Sequence, residues 1–231
     1  MDISSIAKID KTEVLRYMGH KGQSIDDNLN MQIERNIDLC HKISSPRWTY
    51  GYFDIDFAPD SVHIKDSGIV LKGHDIYDHL FGARKCVIMA VTLGMELEKR
   101  LLQLERTSMT DALILDCAAN VYAENVAEYV QSIITKELKD KHTNYRYSPG
   151  YGDFAIETQN SLIPLLQCEK RIGLTVTPSS IMIPRKSITA VMGVFDKEQI
   201  SKKKGCKGCN LYHTCTIRKD DGAPCARSTA N

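Results

Sequence analysis

In the stretch WTYGYFDIDF, residues 48–57, large aromatic or aliphatic side chains alternate with smaller or polar ones. This two-residue period predicts a β-strand. Two short apolar runs, Val62–Ile64 and Ile69–Leu71, follow it and flank the turn sequence Asp66-Ser67-Gly68, which indicates a β-hairpin. Strands joined by short turns favour antiparallel pairing. The expected fold class is therefore α+β, with a twisted, mainly antiparallel sheet flanked by helices.

The remaining periodicities predict helices and strands on both sides of this hairpin. Apolar residues at three- and four-residue spacing indicate helices, and short apolar runs indicate strands. The predicted helices are Ile9–Gly19, Asn28–Ile43, Tyr77–Leu80, Glu96–Leu104, Asp111–Leu138 and Ala155–Cys168, and the further strands are Cys86–Leu93, Ile172–Val176, Ile181–Ile183 and Ser187–Phe195.

Length and composition exclude several classes of protein. The 231 residues suffice for one large domain, or for one domain with an appendage. A net charge of +1 argues against a chain that binds nucleic acid over its whole surface. No apolar run has membrane-spanning length, and the first residues lack the pattern of a signal peptide. We therefore expect a cytoplasmic protein with reduced thiols and without a membrane or nucleic-acid partner.

Half of the eight cysteines are concentrated in the C-terminal segment. Cys206, Cys209, Cys215 and Cys225 are spaced as four ligands of one metal centre, and Gly208 permits a tight turn between the first two. Residues 201–231 hold seven Lys and Arg side chains against two Asp, a charge of +5. These features predict two units: a main domain, residues 1–200, and a four-cysteine metal-binding tail, residues 201–231. A zinc ribbon whose basic flanks contact nucleic acid is the alternative.

The segment Tyr145-Arg146-Tyr147-Ser148-Pro149-Gly150-Tyr151-Gly152-Asp153 has the composition of a binding loop. Proline and glycines favour a turn over a regular helix or a central strand. The Arg146 fork matches a carboxylate, tyrosine faces attract cations, and Gly150 permits close approach to the backbone. A small zwitterion with an additional positive charge would suit all three groups. Packing of the tyrosines on a neighbouring element is the alternative interpretation.

Three sequence blocks resemble one known family. Arg146–Tyr151 is similar to the Arg-x-x-x-Gly-Tyr signature in the reactivation domain of cobalamin-dependent methionine synthase. Gly173–Ser187 resembles that family's Gly-x-x-Leu-Thr-x-Ser-x-x-Met-x-Pro-x-x-Ser run, and Ala123–Val130 resembles its Ala-Glu-Ala-Phe-Ala-Glu-Tyr-Leu helix. The blocks occur in the family's order, and the chain looks like a stand-alone version of this domain with a cysteine-rich tail.

The resemblance implies a binding site for S-adenosylmethionine. In that site Arg146 holds the methionine carboxylate, and Glu124 contacts the polar end of the ligand. Ser148 and Gly150 contact it through their backbone, and Tyr151, as the catalytic residue, lies near the methyl group. The family's aspartate near the start of the domain has no clear match, and Asp10 and Asp26 are the candidates.

The implied function is reactivation of a cobalamin-dependent methionine synthase on a separate chain, by reductive methylation of cob(II)alamin. The methyl donor is S-adenosylmethionine, cobalamin resides on the partner, and an electron donor such as a flavodoxin or a ferredoxin is required. Because the reaction needs one electron, a four-iron iron–sulfur cluster in the tail is preferred to zinc. The alternatives are activation of another corrinoid methyltransferase, a non-catalytic docking module for corrinoid proteins, and a zinc-ribbon nucleic-acid-binding protein.

Overall fold

The structure, a computed structural model, describes residues 8–198. It contains a six-stranded sheet in the order β3-β2-β1-β4-β8-β5, in which every neighbouring pair is antiparallel. A separate two-stranded sheet pairs β6 with β7. The strands are β1 Arg47–Ala58, β2 Ser61–Ile64, β3 Ile69–Lys72, β4 Lys85–Thr92, β5 His142–Thr143, β6 Thr175–Val176, β7 Met182–Ile183 and β8 Ser187–Phe195.

The helices cover both faces of the large sheet. One face packs against α1 (Lys11–Tyr17), α2 (Asp27–Ile43), α4 (Met95–Thr107) and α5 (Met109–Glu137). The opposite face packs against three shorter helices, α3 (His74–Leu80), α6 (Gln159–Leu165) and α7 (Cys168–Ile172). The class is α+β with a mainly antiparallel sheet between helices, as the sequence predicts.

The central strand β4 shows why the sequence has a continuous apolar run at this point. Val87, Met89 and Val91 belong to the core under α5, whereas Ile88 and Ala90 belong to the core under α3 and α6. Successive side chains of a strand point to opposite faces, so a strand covered on both sides needs apolar residues at every position. The neighbouring strand β8 is buried on both faces for the same reason.

Most predicted elements are confirmed, and two predictions near residue 170 are wrong. The predicted helix Ala155–Cys168 is a 3-10 turn, Ile156–Thr158, followed by α6, which contains Pro164. Gln167 then adopts a left-handed conformation with φ of 52°, and α7 begins after it. The predicted strand Ile172–Val176 is shortened to β6, because Ile172 still belongs to α7, which Gly173 caps with φ of 69°.

No helix within residues 8–198 is long and apolar enough to cross a membrane.

Candidate functional site

Arg146 is held at the edge of the large sheet. The neighbouring Tyr147 donates its backbone N–H to the Val191 carbonyl at 3.0 Å and accepts from the Val191 N–H at 2.8 Å. Asn144 adds two bonds, because its side-chain amide donates to the His79 carbonyl and accepts from the Gly193 N–H. These contacts extend the segment alongside β8, so successive side chains point to opposite faces of the sheet.

The Arg146 guanidinium lies against α5. Its Nη2 donates to Glu124 Oε2 at 3.1 Å, and its Nη1 donates to Gln131 Oε1 at 2.9 Å. The side chain of Arg146 is 9% exposed, whereas that of Glu124 is 36% exposed. The resemblance paired Arg146 and Glu124 as ligand-binding residues, and the structure brings them into direct contact. Gln131, which the sequence reasoning did not single out, completes the group.

Helix α1 forms the opposite wall of a cleft above Arg146. The chain before α1 is held on α5 by Asn125, whose side-chain amide donates to the Lys8 carbonyl at 2.9 Å, while Val14 is fully buried. The cleft is open to solvent. Its lining comprises Asp10, Glu13, Tyr17, Val121, Glu124, Asn125, Glu128 and Arg146.

The position of Asp10 distinguishes between the two aspartate candidates. Both residues cap helices: Asp10 accepts from the Thr12 N–H at 2.8 Å, and Asp26 accepts from the Leu29 N–H at 2.7 Å. Only Asp10 lines the cleft that contains Glu124 and Arg146. A cap pattern in the sequence could not separate the two, because the distinction depends on where α1 packs against α5.

The cleft carries an excess of negative charge. Among residues 8–198, the lining contains four carboxylates, from Asp10, Glu13, Glu124 and Glu128, and one cation, Arg146. Glu13 also forms a 2.8 Å ion pair with Arg16, which is not part of the lining. Such a set favours a ligand with net positive charge that also presents a carboxylate to Arg146.

The turn after Tyr147 lies on the other side of the sheet edge. The Tyr147 ring packs against His79 and Phe154, on the face opposite to α5. Burial raises the pKa of the Tyr147 hydroxyl well above its usual value, and the nearby Asp75 carboxylate adds to the rise. This hydroxyl donates to the Tyr151 carbonyl at 3.1 Å. Tyr147 is therefore a neutral structural residue of the turn.

Ser148, Gly150 and Tyr151 are not part of the cleft lining. Gly150 has φ of 94°, and its N–H donates to the Phe154 carbonyl at 2.7 Å, while the Tyr151 N–H donates to the Ser148 carbonyl. Tyr151 is 60% exposed. The structure thus places the predicted ligand residues in two groups, Arg146 with Glu124 in the cleft and the other three on the adjacent turn.

Asp153 connects this turn to the N-terminus of α3 by hydrogen bonds. Its carboxylate accepts from the His74 N–H at 2.6 Å and from the Asp75 N–H at 3.0 Å. Gly73, the N-cap residue, has no side chain to satisfy these donors, so Asp153 supplies the cap from a distant part of the chain. In return, the Asp153 N–H donates to the Asp75 carboxylate. The C-terminal end of the binding-loop sequence is therefore structural.

The four cysteines within residues 8–198 are buried and free. Burial raises the pKa of Cys40 and Cys86 to about 12, and that of Cys117 and Cys168 to about 11. Residues 8–198 contain no cluster of His, Cys, Asp and Glu that could hold a metal ion. The predicted ligands Cys206, Cys209, Cys215 and Cys225 lie outside the described residues.

Comparisons with known proteins agree with this architecture. The family described as "Vitamin B12 dependent methionine synthase, activation domain" matches residues 81–201, more than half of the chain. A solved structure of the MetH reactivation domain bound to AdoHcy has the same fold, with a TM-score of 0.60 and 18% sequence identity. The alignment covers 84% of this chain and 76% of that one. No curated protein matches the chain significantly. The matched region contains β4, α5, the Arg146 loop and β8, and the chain accordingly belongs to the family of vitamin B12-dependent methionine synthase activation domains.

Proposed function

We propose that this chain binds S-adenosylmethionine in the cleft between α1 and α5. There the ligand serves as methyl donor for the reductive reactivation of a cobalamin-dependent methionine synthase carried on a separate polypeptide. The observation that carries the proposal is the Arg146–Glu124 pair, which lies in a cleft lined by three further carboxylates. The proposed reaction is inferred from family membership, and the proposed ligand is inferred from the charges of the residues in the cleft.

The charges of the ligand match those of the cleft. S-adenosylmethionine carries a sulfonium, an ammonium and a carboxylate, so its net charge is positive. Asp10, Glu124 and Glu128 attract the two cationic groups, and Arg146 attracts the carboxylate. The solved relative, which contains bound AdoHcy, supports a nucleoside ligand of this type for the same fold.

Binding is best described as an exchange of partners. In the structure, Glu124 and Arg146 neutralise one another at 3.1 Å. The amino-acid end of the ligand is itself such a pair, so its carboxylate can replace Glu124 on the guanidinium while its ammonium pairs with Glu124. Each charge retains a partner throughout, which avoids the cost of leaving a charge buried and unpaired.

The turn that follows Arg146 in the chain is the proposed contact to the reacting end of the ligand. The backbone of Ser148 and Gly150 contacts the ligand, and the exposed Tyr151 lies near the sulfonium methyl group. Tyr151 is on the surface, where a partner protein can reach it. Its aromatic face can stabilise the adjacent sulfonium cation.

The chemistry requires one electron and one methyl group. A cobalt ion reduced by one electron supplies the electron pair for the new Co–C bond. The C–S bond breaks, its electron pair remains on sulfur, and S-adenosylhomocysteine is released. The contribution of the protein is positioning, because the sulfonium is already a reactive methyl donor.

The electron is proposed to enter through the C-terminal unit, residues 201–231. Four cysteines within this short basic segment suit a four-iron cluster, and zinc is the alternative because four thiolates bind either metal. The electron donor is a flavodoxin or a ferredoxin, and the reaction takes place in the cytoplasm. Metal and sulfide analysis of anaerobically prepared protein tests the cluster, and stoichiometric zinc without iron or sulfide would exclude electron relay.

Isothermal titration with S-adenosylmethionine tests the ligand site. We expect wild-type protein to bind and Arg146→Ala to bind more weakly by about 2 kcal/mol or more, the loss typical of a charge-assisted hydrogen bond. Arg100→Ala is the matched control, because Arg100 also donates to a glutamine on a helix but lies outside the cleft. Equal affinity of wild-type and Arg146→Ala protein would remove Arg146 from the site.

A reconstitution experiment tests the reaction. The chain is mixed with a methionine synthase loaded with cob(II)alamin, a strong reductant and S-adenosylmethionine, and methylcobalamin is followed by its absorption spectrum. We expect methylcobalamin only when the chain and the partner are both present. Reaction with another corrinoid methyltransferase and not with methionine synthase would favour the alternative partner. Binding to corrinoid proteins without methyl transfer would favour a docking module.

A further inference from the structure

We propose that Gln131 is a specificity-determining residue that orients Arg146 without neutralising it, so that the cleft selects a methyl donor that carries a carboxylate. The inference rests on the proposed function and assigns a role to a residue that the sequence motifs do not mark. It follows from the hydrogen bond between Arg146 Nη1 and Gln131 Oε1, at 2.9 Å.

The first step is geometric. Glu124 and Gln131 lie seven positions apart on α5, so they are about two helical turns apart on the same face. The Arg146 guanidinium spans the distance between them, with Nη2 on Glu124 and Nη1 on Gln131. Two anchors on a rigid helix determine both the position and the plane of a flat group, whereas one anchor would allow rotation.

The second step concerns charge. When the ligand carboxylate replaces Glu124 on Nη2, the Gln131 bond to Nη1 remains, and the guanidinium keeps its orientation. An amide accepts this hydrogen bond without adding a negative charge. The cleft already contains Asp10, Glu124 and Glu128. A further carboxylate at position 131 would satisfy the same donor but would repel the carboxylate of the ligand.

The third step predicts that one substitution changes the affinities for two ligands in opposite directions. Decarboxylated S-adenosylmethionine has the same sulfonium and ammonium but no carboxylate, so its net charge is higher by one. Gln131→Glu should weaken S-adenosylmethionine about tenfold, because it adds a like charge near the ligand carboxylate. The same variant should bind decarboxylated S-adenosylmethionine more tightly, by about threefold, because it attracts the cation. A residue that only stabilises the fold would change both affinities in the same direction.

The experiment is isothermal titration of the full chain with both ligands. Gln131→Leu is the second variant; it should weaken S-adenosylmethionine about three- to tenfold through loss of one hydrogen bond and leave the decarboxylated ligand unchanged. Gln103→Glu is the matched control, because Gln103 also accepts from an arginine, Arg100, and lies on the exposed face of α4. Thermal unfolding of each variant verifies that it is folded, and Gln131→Leu decides the question if Gln131→Glu does not fold.

The outcomes separate the two proposals. If wild-type protein does not bind S-adenosylmethionine, the proposed function is wrong. If wild-type protein binds it but both Gln131 variants shift the two ligands equally, or shift neither, the role of Gln131 is overturned. Opposite shifts for the two ligands with Gln131→Glu would support it.

Discussion

The buried His79, which contacts the Tyr145 and Tyr147 rings, should make the folded protein sensitive to mild acid. His79 is 8% exposed, and its ring lies 4.6 Å from the Tyr145 ring and 5.1 Å from the Tyr147 ring, centroid to centroid. Its Nε2 has no hydrogen-bond partner among residues 8–198. Burial lowers the pKa of His79 to about 4, against a smaller opposing effect of the Val191 and Tyr145 backbone.

The loss of unfolding free energy at low pH follows from linkage between protonation and folding. The folded protein binds this proton more weakly than the unfolded chain, in which a histidine has a pKa of about 6.5. The stability that neutral His79 confers is therefore complete above pH 6.5 and is lost as the pH falls towards 4. At pH 5 the loss amounts to about 2 kcal/mol, and below pH 4 it approaches about 3 kcal/mol.

Urea unfolding at pH 7.5 and at pH 5.0 measures this loss. Wild-type protein should lose about 2 kcal/mol more between the two values than His79→Phe, which keeps an aromatic ring and cannot be protonated. His63→Phe, a change at an exposed strand position, is the control and should behave as wild-type protein. The reasoning is refuted if His79→Phe and wild-type protein show the same pH dependence.

Three further results are expected. Asp153→Ala removes two hydrogen bonds to the first N–H groups of α3 and should lower the free energy of unfolding by about 1–2 kcal/mol in urea titrations. Gly152→Ala places a Cβ 1.9 Å from Asp75 Oδ2 at φ of 55°, and it should lower the free energy of unfolding by about 1–3 kcal/mol. The control Gly68→Ala, at φ of 70° with nothing within 4 Å of the new Cβ, should lower it by less. Equal losses in the two variants would show that the protein relieves the contact with Asp75. Deletion after Ile200 should leave the affinity for S-adenosylmethionine unchanged in isothermal titration and should abolish reduction by a flavodoxin or ferredoxin; loss of ligand binding would instead assign the tail to the ligand site.

The strands show where local sequence suffices. The alternation in residues 48–57 predicts β1, and the apolar run Cys86–Leu93 predicts β4, each within one residue or so of the observed bounds. Because successive side chains of a strand point to opposite faces, a strand with one covered face has an alternating sequence, and a strand with two covered faces has a continuous apolar sequence. The two-residue strands β5, β6 and β7 are too short to carry a period, and their pairing depends on the partner strand.

The long helix α5 shows a limit of periodicity. In the sequence, the three- and four-residue spacing of apolar residues predicts one stripe along this helix, formed by Leu115, Ala119, Tyr122, Val126, Tyr129 and Ile133. The buried residues at the end of the helix, however, are Val130 and Ile134. Near its centre, α5 is buried on several sides, so apolar residues occupy more than one stripe. The buried face at the end of the helix then depends on which neighbours cover it.

The sequence by itself determined the fold class and the family resemblance, because these depend on residue types in local patterns. The resemblance in turn implied that Arg146 and Glu124 contact the ligand. Tertiary structure alone decided that Asp10, and not Asp26, lines the cleft, and that Gln131 anchors Arg146. It also placed Tyr151 on the turn beyond the sheet edge. These positions depend on how α1 packs on α5 and on which side of the sheet each residue of an extended segment points. Such contacts join residues that are far apart in the chain, so local sequence patterns do not predict them.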